Sequence, residues 1–236
     1  MENSSLSARY RRIMDRVADS ARKVGRSPES ITLVAITKYV DVDRMAEAYD
    51  LGLRDFGESR VMDAVRKRDE LSSLPLKWHF IGHLQTNKVK RVVGDFLIHS
   101  VDSWKLAEAL HREAAARDLV QPILVQVNTS GEPSKYGFSP DETQAMVARI
   151  VRELPSLSLC GLMTMAPRSE DPEAVRPFFR RLRELRDAIG PPLEHLSMGM
   201  SQDYPIAVEE GATLIRIGSA LFGSDEQAAS DPAEGP

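Results

Sequence analysis

Residues 31–38 read ITLVAITK, an apolar run of strand length that ends in one ammonium group. Tyr39 and an acidic, helix-starting segment, VDVDRMAEAY, follow it. A lysine that closes a first buried strand stands on rigid backbone at the mouth of an α/β core, where loops gather and ligands bind. The Lys38 amine is therefore a candidate covalent anchor for a carbonyl compound. Nucleophilic use needs the neutral amine, so burial or neighbouring positive charge has to lower its pKa. A solvated end group is the simpler reading of the same residue, and the run alone does not choose.

Outward from this strand the chain repeats one unit. Helix 42–50 leads to a second small strand at Leu51–Phe56 around Gly52. GESR then enters a helix from Ser59 to about Lys67, and a third strand follows at Lys77–Ile81. Phe96–Ser100, Pro122–Asn128, Leu157–Met163, Leu193–Ser197 and Thr213–Ile217 supply five more. Between them lie strong helix formers such as WKLAEALHREAAAR and DETQAMVARIVREL, then Pro172–Ile189 and the short Tyr204–Glu210. Repeated strand and helix units imply parallel strands buried by outer helices. Eight units predict a single (β/α)8 TIM-type barrel, a fold that typically takes about 250 residues. An open doubly wound sheet has less support, since neither GxGxxG after the first strand nor GxxxxGK[ST] occurs. Ser7–Lys23 predicts an additional N-terminal helix that packs on the barrel bottom or side through Ile13, Met14, Val17 and Ala21. The barrel domain is expected to occupy residues 1–223, and the polar SDEQAASDPAEGP, 224–236, a disordered tail.

Composition narrows the class less than the pattern does. The chain of 236 residues is 42% hydrophobic with a formal charge of −4, which gives no bulk reason to expect nucleic acid as a partner. One cysteine, Cys160 in LSLCGLMTM, excludes an internal disulfide and a cysteine metal cluster, and reads as a small buried hydrophobe. Neither a signal peptide nor a stretch of spanning length is present, so a cytoplasmic protein without membrane contact is expected. KVKR at 88–91 reads as a solvated helix face.

The distal segment SMGMSQDYPIAVEEGATLIRIGSALFG, 197–223, carries the second set of signals. Gly199 and Ser201 sit where strand seven gives way to its loop, and Gly218 and Ser219 hold the same place after strand eight. In a barrel these edges are neighbours, able to present amides and hydroxyls to a phosphate, with short helix N-termini beyond them. Taken singly, the glycines relieve turns and the serines cap helices. Arg216, between Ile215 and Ile217, either points outward to an acid or offers a rigid donor inside the barrel mouth to a heteroaromatic nitrogen. The inward reading joins Lys38, the phosphate loops and Arg216 through one ligand, pyridoxal 5'-phosphate (PLP).

VAITK, FGES, WHFIGHLQTNK, GLMTM, SMGMSQD and RIGSALFG, in this order over residues 5–223, resemble the pyridoxal phosphate homeostasis protein family, PLP-binding proteins related to the barrel domain of alanine racemase. The resemblance implies that Lys38 is the Schiff-base lysine. It implies that Ser201, Gly218 and Ser219 are phosphate-site positions with Met200 beside them, and that Arg216 faces the pyridine nitrogen. It also places His79 and the Asn87 region around the cofactor mouth. One position departs: the family commonly continues Gly57 and Glu58 with asparagine, where this chain has Ser59, which weakens a cofactor contact there.

The resemblance implies intracellular PLP homeostasis, with the cofactor held as a Schiff base and no robust turnover. Recipient PLP enzymes are possible partners, and a monomer is expected. A racemase needs acid/base groups on both faces of the substrate carbanion, and the chain is expected to lack the domain and partner subunit that complete the second face. Two alternatives stay open: a minimal PLP-dependent racemase, with His79 or Tyr204 as the second proton-transfer group, and a phosphate-ligand scaffold in which PLP is incidental.

Overall fold

In the computed structural model, which describes residues 5–191 and 193–223, the ITLVAITK run forms β1 (Thr32–Ile36). Its side chains divide by the period of two: Leu33 and Ala35 pack into the helical layer, while Val34 packs with Leu124, Met163 and Leu214 in a separate inner cluster. The strand ends two residues before Lys38, where Val40 N–H closes a turn on the Thr37 carbonyl at 2.9 Å.

β1 pairs in parallel with β2 (Asp55–Glu58) on one side and β8 (Leu214–Ile217) on the other. Between them run β3 (Lys77–Phe80), β4 (Phe96–Val101), β5 (Gln121–Gln126), β6 (Leu157–Met163) and β7 (His195–Ser197), in sequence order, and the sheet closes. Closure decides for the eight-stranded barrel and against the open sheet. In register across the outer faces of β2, β3 and β4 stand Phe56, Trp78 and Phe96, their ring centroids 6.4 and 6.1 Å apart. Large aromatics here fill the space between sheet and helices.

The outer layer comprises α1 (Leu6–Lys23), α2 (Val42–Asp50), α3 (Val61–Glu70), α4 (Trp104–Ala116), α5 (Pro140–Glu153), α6 (Arg176–Ile189), α7 (Tyr204–Glu209) and α8 (Ser219–Phe222). A 3-10 helix, Thr86–Arg91, replaces the α-helix of the β3–β4 crossover and carries the exposed Lys90 and Arg91 of the KVKR run. Local chemistry sets several boundaries. At α5, Ser139 and Glu142 form a reciprocal capping box with Pro140 in the first turn. At α1, the Ser5 side chain accepts from Ala8 N–H, and Leu6, Ile13, Val17 and Ala21 make the buried stripe. α1 lies along the barrel side, against α7 and α8, where Arg26 donates to the Val208 and Ala212 carbonyls at 2.7 and 2.8 Å.

Two expectations need correction. The second strand is Asp55–Glu58 rather than a run around Gly52, because Gly52 (φ +100) ends α2 in a left-handed turn and donates to the Tyr49 carbonyl. Cys160 is half-buried rather than buried, at the edge of the inner cluster. The tail expectation, 224–236, lies outside the described residues.

Candidate functional site

Strand register brings the candidate residues to one end of the barrel. Val34 pairs with Arg216 and Ala35 with Ile217, so Lys38 and the Gly218–Ser219 loop leave neighbouring strands at their C-terminal ends. β7 abuts β8 through Ser197 and Leu214, and Arg216 N–H donates to the Gly199 carbonyl at 3.0 Å. Gly199 has φ +89, and a Cβ there would stand 2.5 Å from the Ala207 Cβ, so the turn out of β7 requires glycine. That turn sets Ser201 beside the β8 loop. Its Oγ accepts from Ala220 N–H at 3.2 Å and from the Ser219 hydroxyl at 3.3 Å. The two serines expected from separate loops thus form one hydroxyl pair.

Lys38 is exposed, with its Nζ 5.0 Å from the Tyr39 ring centroid; the Arg60 guanidinium lies 5.7 Å from the same ring. Behind Lys38 the chain is held tightly. The buried Lys67 ammonium donates to the Thr37 carbonyl at 2.5 Å and to Glu58 Oε1 at 2.6 Å, and the Thr37 hydroxyl donates to the same Glu58 oxygen.

Arg216 is 3% exposed and points inward rather than outward to an acid. Its guanidinium donates to Ser197 Oγ at 2.7 Å and to the Thr164 carbonyl at 2.9 Å. Among the described residues no carboxylate forms an ion pair with it, and its Nε–H has no protein partner. Burial lowers its pKa to about 10, partly opposed by Asp203, so it remains cationic at neutral pH. Asp203 is itself buried; burial pushes its carboxyl up, against the pull of the Met200 amide and Arg216. The Met200 N–H is spent on Asp203 Oδ1 at 2.6 Å, and its carbonyl accepts from Asp203 and Tyr204.

His79 lies inside the barrel, bonded to Asp55 and His99, and Asn87 is not brought to the group. Asn87 lines an outer hollow with Lys90, Arg112 and Glu113 on the β3–β4 crossover and α4. Tyr204 turns toward α1, where burial raises the pKa of its phenol against the opposing pull of Arg16 and Arg12. Sequence reasoning passed over Asp55, His99, Ser197 and Asp203. The signal for the first three was the period of two: each is a polar residue on the inward-facing row of an apolar strand.

An exposed amine, a hydroxyl pair and a buried cation with an unspent donor suit a ligand that carries an aldehyde, a phosphate and a ring-nitrogen acceptor. The match to "Alanine racemase, N-terminal domain" covers residues 11–226. A pyridoxal phosphate homeostasis protein of Aquifex aeolicus is 43% identical over 91% of this chain and 96% of its own. A mouse protein of the same name is 41% identical over 90% of this chain and 84% of its own. PipY of Synechococcus elongatus, solved with PLP bound, superposes with a TM-score of 0.76 at 37% identity, over 89% of this chain and all (100%) of that one.

Proposed function

The chain belongs to the alanine racemase N-terminal domain family and, within it, to the pyridoxal phosphate homeostasis proteins, and from that premise we propose how this barrel holds PLP. The observation that carries the reading is the buried Arg216 guanidinium, with Nε–H unspent, on the strand next to the one that leads into Lys38. PLP supplies an aldehyde that condenses with an amine as a Schiff base. Lys38 provides that amine. Ser201 and Ser219 donate to the phosphate, Gly218 keeps the β8 loop without a side chain, and Arg216 donates to the ring nitrogen while disfavouring its protonation. Met200 acts through its place in the β7 loop, and His79 acts from inside the barrel rather than at its rim. Asn87 is given no contact.

The function is intracellular PLP homeostasis by holding, without robust catalytic turnover. Supporting this, of the two residues considered as a second proton-transfer group, His79 is committed between Asp55 and His99, and Tyr204 turns toward Arg16 and Arg12 on α1. A carbanion cannot be reprotonated on its second face without a positioned acid. The same reading makes the protein a cytoplasmic monomer, with residues 1–223 as its PLP-binding domain and PLP-dependent enzymes as recipients. A net charge of −4 offers no cationic excess for a nucleic-acid backbone. Among the described residues no helix is long and apolar enough to cross a membrane.

Borohydride reduction of purified protein, followed by peptide mapping, tests the anchor. The expected result is one PLP adduct on Lys38, absent in a folded Lys38→Ala variant. A trapped adduct on another lysine overturns the assignment.

A further inference from the structure

A row of side chains crosses the barrel interior from β2 to β8. Asp55 Oδ1 lies 3.0 Å from His79 Nε2, His79 Nδ1 lies 2.9 Å from His99 Nε2, and His99 Nδ1 lies 2.8 Å from Ser197 Oγ, which accepts from Arg216. The two ends have fixed signs. A guanidinium can only donate, and an ionised carboxylate can only accept.

We propose that Asp55, His79, His99 and Ser197 are positioning residues that form a one-way hydrogen-bond row, in which the distant Asp55 carboxylate sets the direction of every bond up to Arg216 and so holds the guanidinium for the ligand's ring nitrogen. The direction follows from counting hydrogens. Asp55 requires the hydrogen on His79 Nε2, which leaves a neutral His79 with a bare Nδ1. That nitrogen has to accept from His99 Nε2–H, so His99 Nδ1 is bare in turn and accepts the Ser197 hydroxyl hydrogen. The Ser197 oxygen then stands ready for Arg216. With neutral rings, this is the arrangement in which every bond of the row has one donor and one acceptor.

The reverse direction would need a second hydrogen on His79. If His79 gains a proton, its Nδ1–H donates to His99 Nε2, and His99 carries its hydrogen on Nδ1 toward Ser197. Ser197 Oγ then receives from both sides, and its own hydrogen loses its His99 acceptor. Burial first, and then electrostatic opposition from Arg216 and the neighbouring His79 and His195 to a charge on His99, holds the His99 pKa well below the usual imidazole range, which keeps that ring neutral. Charged groups beside the row include Glu194, acting on His195, Asp203, acting on Arg216, and Lys77, in register with Asp55. Direction along a row is a physical property here because a polar group left unmatched inside a barrel is costly.

The role toward the ring nitrogen rests on the PLP reading, but the row can be tested without PLP. In the apo-protein labelled with ¹⁵N-histidine, and assigned through His79→Gln and His99→Gln, both rings are expected to carry hydrogen on Nε2. Asp55→Leu, with Asp55→Asn as the isosteric second variant, is expected to redistribute hydrogen on His99, a ring that residue 55 does not touch. Hydrogen on His99 Nδ1 in the wild type overturns the proposal, as does an unchanged His99 tautomer in both Asp55 variants. The second arm compares PLP with its 1-deaza analogue, which lacks the ring nitrogen. Asp55→Leu and Ser197→Ala are expected to weaken PLP about threefold to tenfold and leave the deaza analogue's affinity unchanged, with Ser197→Thr restoring PLP affinity. Equal losses for both ligands overturn the role toward the ring nitrogen. Failure of wild-type protein to bind PLP at Lys38 sinks the PLP reading while the tautomer result stands.

Discussion

Lys67→Met removes the ammonium that holds the peptide just before Lys38. Lys67 and Glu58 are 2% and 0% exposed, with 2.6 Å between Nζ and Oε1, and Glu58 Oε2 is buried without a partner among the described residues. The substitution leaves the carboxylate with one hydroxyl donor, from Thr37. Breaking a buried ion pair from one side costs about 3–5 kcal/mol, because the remaining charge stays desolvated. At about 2–4 °C per kcal/mol for a domain of this size, the thermal midpoint should fall by roughly 6–20 °C. Urea and thermal unfolding of the apo-protein, followed by circular dichroism, measure it. Glu58→Leu combined with Lys67→Met removes both charges and should recover most of the loss. PLP capture by Lys38 should be slower than in the wild type in both the single and the double variant, since the Thr37 carbonyl has lost its Lys67 donor in each. A single variant within about 1 kcal/mol of wild type would refute the reasoning, as would a double variant no more stable than the single.

Ser201→Ala with Ser219→Ala should weaken PLP by about a hundredfold or more while sparing pyridoxal, since each charge-assisted bond is worth about 1.5–3 kcal/mol. Binding isotherms for the two aldehydes measure the difference, and equal losses would mean that the loops had collapsed. Gly199→Ala should cost about 1–3 kcal/mol and lower PLP occupancy, read by urea titration and by absorbance, because φ +89 and the Ala207 contact both oppose a Cβ. The pH dependence of stability has a defined sign. His99 is held neutral in the fold, whereas in the unfolded chain it takes up a proton near pH 6.5, so stability is full above that pH and falls as pH drops below it. The slope should reach about 1.4 kcal/mol per pH unit for this one group, and His99→Gln should flatten it; an unchanged slope would contradict the buried neutral ring.

The frame of this site was legible because it rests on local patterns. An apolar run closed by Lys38 marks a strand and its end, and glycine–serine pairs after two strands mark loops that barrel topology makes neighbours. Arg216 was legible as an anomaly inside an apolar strand, although only the structure chose its inward direction. The Glu58–Lys67 pair was not legible, since an acid on a strand and a lysine on the following helix look like ordinary surface residues until the α3 packing is known. The interior row was half-legible. Alternation puts Asp55, His79, His99 and Ser197 on inward faces, but which of them meet across the barrel depends on closure and on the register shift between β4 and β5. Asn87 shows the limit of carrying a position over by motif: a residue in the crossover beyond a strand end can face the mouth or the flank, and here Asn87 lies in a 3-10 helix on the flank.

The central claim, that this barrel holds PLP without turning over amino acids, is tested most directly by Cα hydrogen exchange. Protein carrying PLP on Lys38, freed of unbound cofactor, is incubated in deuterated water with a panel of free amino acids, beside Lys38→Ala protein. Deuterium at Cα and the enantiomer ratio are then read by mass spectrometry and chiral chromatography. The account predicts trapped PLP on Lys38 together with little exchange and no multiple-turnover interconversion of enantiomers. Rapid interconversion that disappears in Lys38→Ala would contradict it and would require a second proton-transfer group at the mouth.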